Sequence, residues 1–303
     1  MDLRIDESAQ EALENEIAEL ELRLQRAKER LAESKTGSAQ NSISPVPSPQ
    51  AAHHYLLLLS DSALPLGSFA FSSGLESFLA HTRRGRLTSS TSTATASAFS
   101  AFLPLSLSSY ASTSLPFVLA AHRDPSPAHV AALDDALDAA VVCTVGRRAS
   151  VAQGRALLAI WEKSVAAAVD PGASLRPYAE LLRAPRPAAD AGAGGGLGPS
   201  PASAHLAPLF GAVAALCGLA RRQAAYVFLL SHVKALASAA VRAGLFGPYQ
   251  AQKILAGAQV QGLLADAIDR EWETPVEEAG QSVPVMDLWV GRHELLYSRI
   301  FNS

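Results

Sequence analysis

The sequence predicts an all-α protein: a single helical bundle with an extra charged heptad helix ahead of it. Three observations carry that prediction. Apolar residues recur at helical spacing through most of the chain. Alternating strand patterns are almost absent, and the stretches richest in Gly, Ser and Pro fall between helical runs. At 303 residues and 49% hydrophobic content, there is ample material for a core.

Residues 1–35 read as one charged helix. Leu13, Ile17, Leu20, Leu24, Ala27 and Leu31 alternate at spacings of four and three, a short coiled-coil seam. In a parallel homodimer of this helix Glu16 would face Glu21, and Arg23 would face Lys28. An antiparallel pairing, a different partner or packing on the chain's own body fits better, and a lone marginal helix on a tether stays open. Residues 36–50 are a flexible linker by composition. The remaining 51–303 form the all-α domain.

Within that domain an apolar helical run ends at Ser60-Asp61-Ser62, turns through Pro65 and Gly67, and restarts at Ser72-Ser73-Gly74-Leu75-Glu76. Gly67, Ser68 and Gly74 are small enough to admit a close backbone approach. Phe69 and Phe71 sit in the turn, either folded back on the core or held for a contact. Thr88–Ser114 is rich in Ser and Thr, with Pro104 and Pro116 as expected bounds of its helix. Ser126-Pro127 starts the next helix, and Arg147–Ser164 continues in helical composition to a close at Asp170-Pro171-Gly172. Residues 184–204, with Gly194-Gly195-Gly196, are expected to be an exposed insert. Helices then run over Leu206–Leu219, Arg222–Arg242 and, after a break at Gly244–Pro248, Tyr249–Ile268.

Composition excludes several function classes. The net charge of −3 gives no electrostatic footprint for nucleic acid or an anionic membrane. Two cysteines, Cys143 and Cys217, point to a reduced, intracellular protein with both thiols in the core. The charged first residues do not read as a signal peptide, and the apolar run Leu206–Ala220 is too short to span a bilayer. No nucleotide loop, nucleophile elbow or paired-histidine motif occurs. Asp134-Asp135 reads as part of a solvated helix face. The chain is therefore expected to be no enzyme and to hold no cofactor. The alternative is a metal-dependent hydrolase that folding assembles from His205, His232 and His293.

The last seventeen residues, Asp287–Ser303, carry Trp289, Leu295, Leu296, Tyr297, Ile300 and Phe301 among Arg292, His293, Glu294 and Arg299. Large aromatic side chains beside arginines are the composition of interface anchors. A docking element is the reading, with packing on the chain's own core as the alternative.

Several motifs occur together and in order: Ala63-Leu64-Pro65-Leu66-Gly67-Ser68-Phe69 with Ser72 and Gly74-Leu75-Glu76; Arg148-Ala149-Ser150 with Gln153-Gly154-Arg155; His205-Leu206-Ala207 with Phe210-Gly211; Val241-Arg242 with Gly247-Pro248; and Arg292-His293-Glu294 with Tyr297-Ser298-Arg299-Ile300-Phe301. In these the chain resembles the UreF-type urease accessory proteins over roughly Tyr55–Ser303. The resemblance implies a cytoplasmic homodimer without catalytic activity. It would bridge a UreD/UreH-type partner and the GTPase UreG in the complex that delivers nickel to apo-urease, with nickel handled by the complex. It also implies that the tail, Arg292–Phe301, orders inside the UreD/UreH-type partner, and that Arg299 steadies a neighbouring loop. Relatives often have Tyr where this chain has Phe69, so a Phe69–Arg299 contact here would have to be stacking or cation–π.

Overall fold

In a computed structural model of the protein, the described residues are 21, 24, 25, 28, 49–85, 92–169, 175–184 and 202–302. The chain divides into two units, Met1–Pro45 and Val46–Ser303. In the first, the four described residues are helical and exposed, Leu24 of the heptad seam among them. The rest of the seam and nearly all of the expected linker lie outside the described residues.

The second unit is built of helices, and no strand occurs among its described residues. They are α1 (Pro49–Ser60), α2 (Leu75–Gly85), α3 (Ser92–Arg123), α4 (Pro127–Ala140) and α5 (Thr144–Ile160). A π-turn at Trp161–Val165 continues α5 into α6 (Ala166–Val169). There follow α7 (Arg176–Arg183), α8 (Leu206–Leu216), α9 (Arg221–Arg242), α10 (Pro248–Ala256), α11 (Ala258–Glu271) and α12 (Val285–Gly291). Short 3-10 turns cover Ser68–Ala70, Val276–Glu278 and Arg292–Leu295.

Helices α3 and α9 form the centre. α3 packs on α4, α8, α9 and α11, and α9 also packs on α1 and α10. Phe99, Phe102, Leu115 and Phe117 of α3 are buried with Phe210 of α8 and Phe228 of α9. The α3–α8 crossing needs Gly211, where a Cβ would sit 2.2 Å from the Val118 carbonyl. α9 is long and apolar enough to cross a membrane by length and composition. Its apolar positions, from Ala224 to Ala240, are instead buried against the neighbouring helices.

Several expectations need correction. Pro104 and Pro116 do not bound a helix; α3 runs 32 residues straight through both. Burial of Leu103, Leu107, Leu115, Val118 and Leu119 along its length outweighs the backbone bond each proline removes. The single helix expected over Tyr249–Ile268 is two, because Gly257 takes an extended conformation between α10 and α11. Cys217 is buried, which pushes its thiol up to about 12, whereas Cys143 is only half-buried.

The insert and the acidic pair differ most from expectation. Residues 185–201 lie outside the described residues, as does the close at Asp170-Pro171-Gly172. Ala202 and Ala204 are buried rather than exposed. Asp134 is fully buried as well. It accepts the backbone N–H of Ser203 (2.6 Å), Ala204 (3.0 Å) and His205 (2.5 Å). A carboxylate thus caps the start of α8, where free N–H groups and the helix dipole favour negative charge. Asp135 beside it is exposed.

Candidate functional site

The loop between α1 and α2 and the segment after α12 meet on one side of the second unit. Gly67 adopts a left-handed turn (φ 73°) with open space around it, so it serves the turn itself. Gly74 (φ 86°) makes the close approach: a Cβ there would lie 3.1 Å from the Val290 nitrogen and 3.2 Å from Trp289. This brings the start of α2 against α12. Trp289 then packs edge-on to Phe78, with ring centroids 5.5 Å apart.

Glu76 lies in the first turn of α2, and its side chain is only 11% exposed. It accepts three donors from the last residues: His293 Nε2 (3.0 Å), Ile300 N (2.6 Å) and Phe301 N (3.2 Å). A carboxylate can only accept, so His293 presents Nε2–H to it. The Asn302 N–H donates to the Ala70 carbonyl at 2.8 Å. His293 and Phe301 are buried, whereas Leu295 (78%), Tyr297 (fully) and Ile300 (62%) stay exposed. Arg292 and Ser298 are exposed too.

No cation–π pair forms between Phe69 and Arg299. Phe69 is 64% exposed, and the cation over its ring is Arg242 of α9, 5.8 Å from the centroid. The same guanidinium lies 4.3 Å from the Phe301 ring centroid and donates to the Phe69 carbonyl. Burial lowers the Arg242 pKa from its ordinary value. Arg299 turns to Glu294 instead (Nη1 to Oε2, 3.2 Å). Arg148 of α5 also bonds Glu294. The Arg148 hydrogen bond, with the charges of both arginines, holds the Glu294 carboxyl below its ordinary range.

The remaining sequence motifs join the same network. Ser68 donates to Gln153 Oε1 at 2.7 Å, and Gln153 donates onward to the Ala149 carbonyl at 3.1 Å. Ser150 accepts the Leu206 N–H (3.3 Å) and bonds His205 Nδ1 (3.0 Å), while His205 Nε2 faces Asp138 at 3.0 Å. Burial would raise the Asp138 pKa, but hydrogen bonds from His205 and Ser203 and the Arg147 charge outweigh it and hold it low. Ser72 and Gly74 are buried, and Pro65 is exposed. Gln153, Arg148, Arg242 and Asn302 connect these segments, though sequence reasoning did not single them out as site residues. The sequence signal of Gln153, Arg148 and Arg242 is membership of the ordered motifs, and Asn302 adjoins the last of these.

The strap 279–283 leads into α12 along α3. The Gly280 N–H donates to the Ser112 carbonyl at 3.2 Å. Ser282 donates its N–H to Ser112 Oγ (3.2 Å) and exchanges hydroxyl bonds with Ser108 and Ser112. The strap borders a cavity of about 290 Å³ that Ser106, Tyr110, Cys143, His232 and Asp287 help to line. His232 bonds Ser106 at 3.0 Å and stacks on Tyr110 at 4.0 Å; burial pushes its pKa down to about 3.

His205, His232 and His293 are not brought together: each has its own partner, namely Asp138, Ser106 and Glu76. Among the described residues no group of three or more His, Cys, Asp or Glu side chains could hold a metal ion.

A sequence model of the UreF family matches residues 93–259. The chain is 36% identical over 257 residues to an uncharacterized urease accessory protein UreF-like from Schizosaccharomyces pombe, covering 84% of this chain and 98% of that one. It is 30% identical over 247 residues to urease accessory protein F of Oryza sativa subsp. indica, covering 80% and 82%. It is 29% identical over 245 residues to urease accessory protein UreF of Paenarthrobacter aurescens, covering 81% and 95%. The chain belongs to the UreF family of urease accessory proteins, and is an accessory protein rather than an enzyme.

Proposed function

We propose that this chain acts in urease maturation as the bridge between a UreD/UreH-type partner and a UreG-type GTPase. In this reading it works as a cytoplasmic homodimer in the complex that carries nickel to apo-urease. Nickel is cargo of that complex and not a resident cofactor. The observation that carries the reading is the exposure of Leu295, Tyr297 and Ile300 on a segment whose backbone is hydrogen-bonded down. Apolar side chains held outward on an ordered backbone are the arrangement of interface anchors.

The test is a co-expression pull-down with UreD/UreH-type and UreG-type proteins. Deleting Asp287–Ser303 is expected to abolish capture of the UreD/UreH-type partner while the body stays helical by circular dichroism. Capture by the truncated chain would refute the tail assignment. Arg299→Ala is expected to lower urease activation with the fold unchanged, because Arg299 is exposed and, among the described residues, bonds Glu294 and the Leu296 carbonyl.

A further inference from the structure

The charged heptad helix lies outside residues 93–259, the span that the family model matches. Its described residues, Glu21, Leu24, Gln25 and Lys28, are helical and exposed. Glu21, Leu24 and Lys28 stand three and four residues apart, so they share one helix face, an exposed leucine between a carboxylate and an ammonium. The sequence extends this face in both directions with opposite charge. Residues 1–21 hold eight acidic side chains and one basic, whereas residues 22–35 hold five basic and two acidic. Such a helix complements a second copy of itself only when that copy runs the other way. One antiparallel register satisfies the whole seam: Leu13 meets Leu31 of the second copy, Ile17 meets Ala27, and Leu20 meets Leu24. The flanking positions then set Glu16 against Arg30, Glu14 against Lys28 and Glu7 against Lys35. Like charges meet only at the two-fold axis, where Glu21 and Arg23 each face their own copy. In the parallel alternative Glu16–Glu21, Arg23–Lys28 and Arg30–Lys35 are all like-charged.

We infer that residues 1–35 form an antiparallel coiled coil with the same segment of a second copy of this chain. Burial of the Leu and Ile layers supplies the attraction, and the flanking charges choose the orientation. A helix of under four heptads is marginal by itself; covering its apolar face with its twin removes that weakness. The linkers leave such a coil at opposite ends, so it joins two copies without calling on the bridging role. It shares with the proposed function only the need for a second copy.

The experiment is disulfide cross-linking of the full chain with diamide, in a Cys143→Ser background that removes the half-buried thiol. Leu20→Cys and Leu24→Cys are placed on two co-expressed chains that carry tags of different size. The mixed cross-link is expected to exceed either self cross-link about tenfold, because only the antiparallel register brings these two positions together. Self cross-links at both positions without the mixed species would overturn the antiparallel orientation. No cross-link at all would overturn the coil, and light scattering on the same samples reads the proposed homodimer separately. Glu14→Lys with Glu16→Lys on both chains is expected to cut the mixed cross-link about tenfold. Pairing that variant with a Lys28→Glu, Arg30→Glu chain should restore it. An unchanged yield after the reversal would overturn the role of the flanking charges. Should cysteine in the seam loosen the coil, Arg23→Cys lies outside the seam and faces its own copy across the two-fold axis. A short bismaleimide is expected to link that pair, and its failure to do so would overturn the register.

Discussion

At the scale of single residues, the site depends on small groups in unusual backbone states beside one carboxylate. Gly74 combines a positive φ with direct backbone contact to Trp289 and Val290. Alanine there meets both objections at once: the left-handed conformation costs an L-residue about 1–2 kcal/mol, and its Cβ needs α12 to retreat. Gly74→Ala is expected to destabilise the protein by about 1–3 kcal/mol in denaturant unfolding. A red shift of Trp289 emission, through loss of its Phe78 and His81 packing, should accompany it. Phe69 shows what residue-level reasoning can miss. The lack of a hydroxyl at Phe69 was readable, but the cation over its ring comes from α9, 173 positions away.

At the scale of elements, α3 explains its own odd composition. Pro116 has no N–H to give the carbonyl four residues back, that of Ser112. Gly280 of the strap fills that acceptor, and the Ser108 and Ser112 hydroxyls bond Ser282. The Ser-rich stretch whose prolines were expected to bound a helix is thus part of one continuous helix with a docking rail for the strap before α12. Pro116→Ala restores an intrahelical donor that competes for the Ser112 carbonyl. Exchange of the Gly280 amide is expected to accelerate several-fold, while the amides of α1, which packs on α9, keep their protection. Unchanged Gly280 exchange would show that the strap does not rely on the proline. Helix α8 is started in a comparable way, by the Asp134 carboxylate from α4.

For the whole molecule, the buried His232 sets a pH response. Its folded-state pKa lies near 3, while an unfolded histidine titrates near 6.5. Between those values the unfolded chain binds a proton that the folded chain refuses. Stability is therefore fully present above about pH 6.5 and falls as the pH drops toward 3, by up to about 1.4 kcal/mol per pH unit. Denaturation midpoints at pH 7 and pH 5 should differ less in His232→Gln than in the unaltered chain. The depressed carboxyls of Asp138 and Glu294 act in the same direction only at still lower pH. Burial also lowers the His122 pKa, so His122 adds to the loss in this interval, and the comparison with His232→Gln is what isolates His232.

Periodicity and turn residues by themselves determined the all-α class, the approximate span of most helices and the presence of two unusual segments, 61–76 and 287–303. These are local properties: helical spacing, Pro and Gly punctuation, and aromatic side chains where polar ones would be usual. Only the tertiary structure decided that the two segments touch, with Glu76 of one accepting backbone donors of the other. It also decided that Arg242 and not Arg299 covers Phe69, and that Asp134 is buried as a helix cap. A carboxylate is read as solvated until long-range packing brings it N–H donors, and those donors lie 69 to 71 positions away for Asp134 and 217 to 225 for Glu76. Such separations leave no periodic trace along the chain, because hydrogen-bond geometry is set by how helices stack and not by spacing within any one of them.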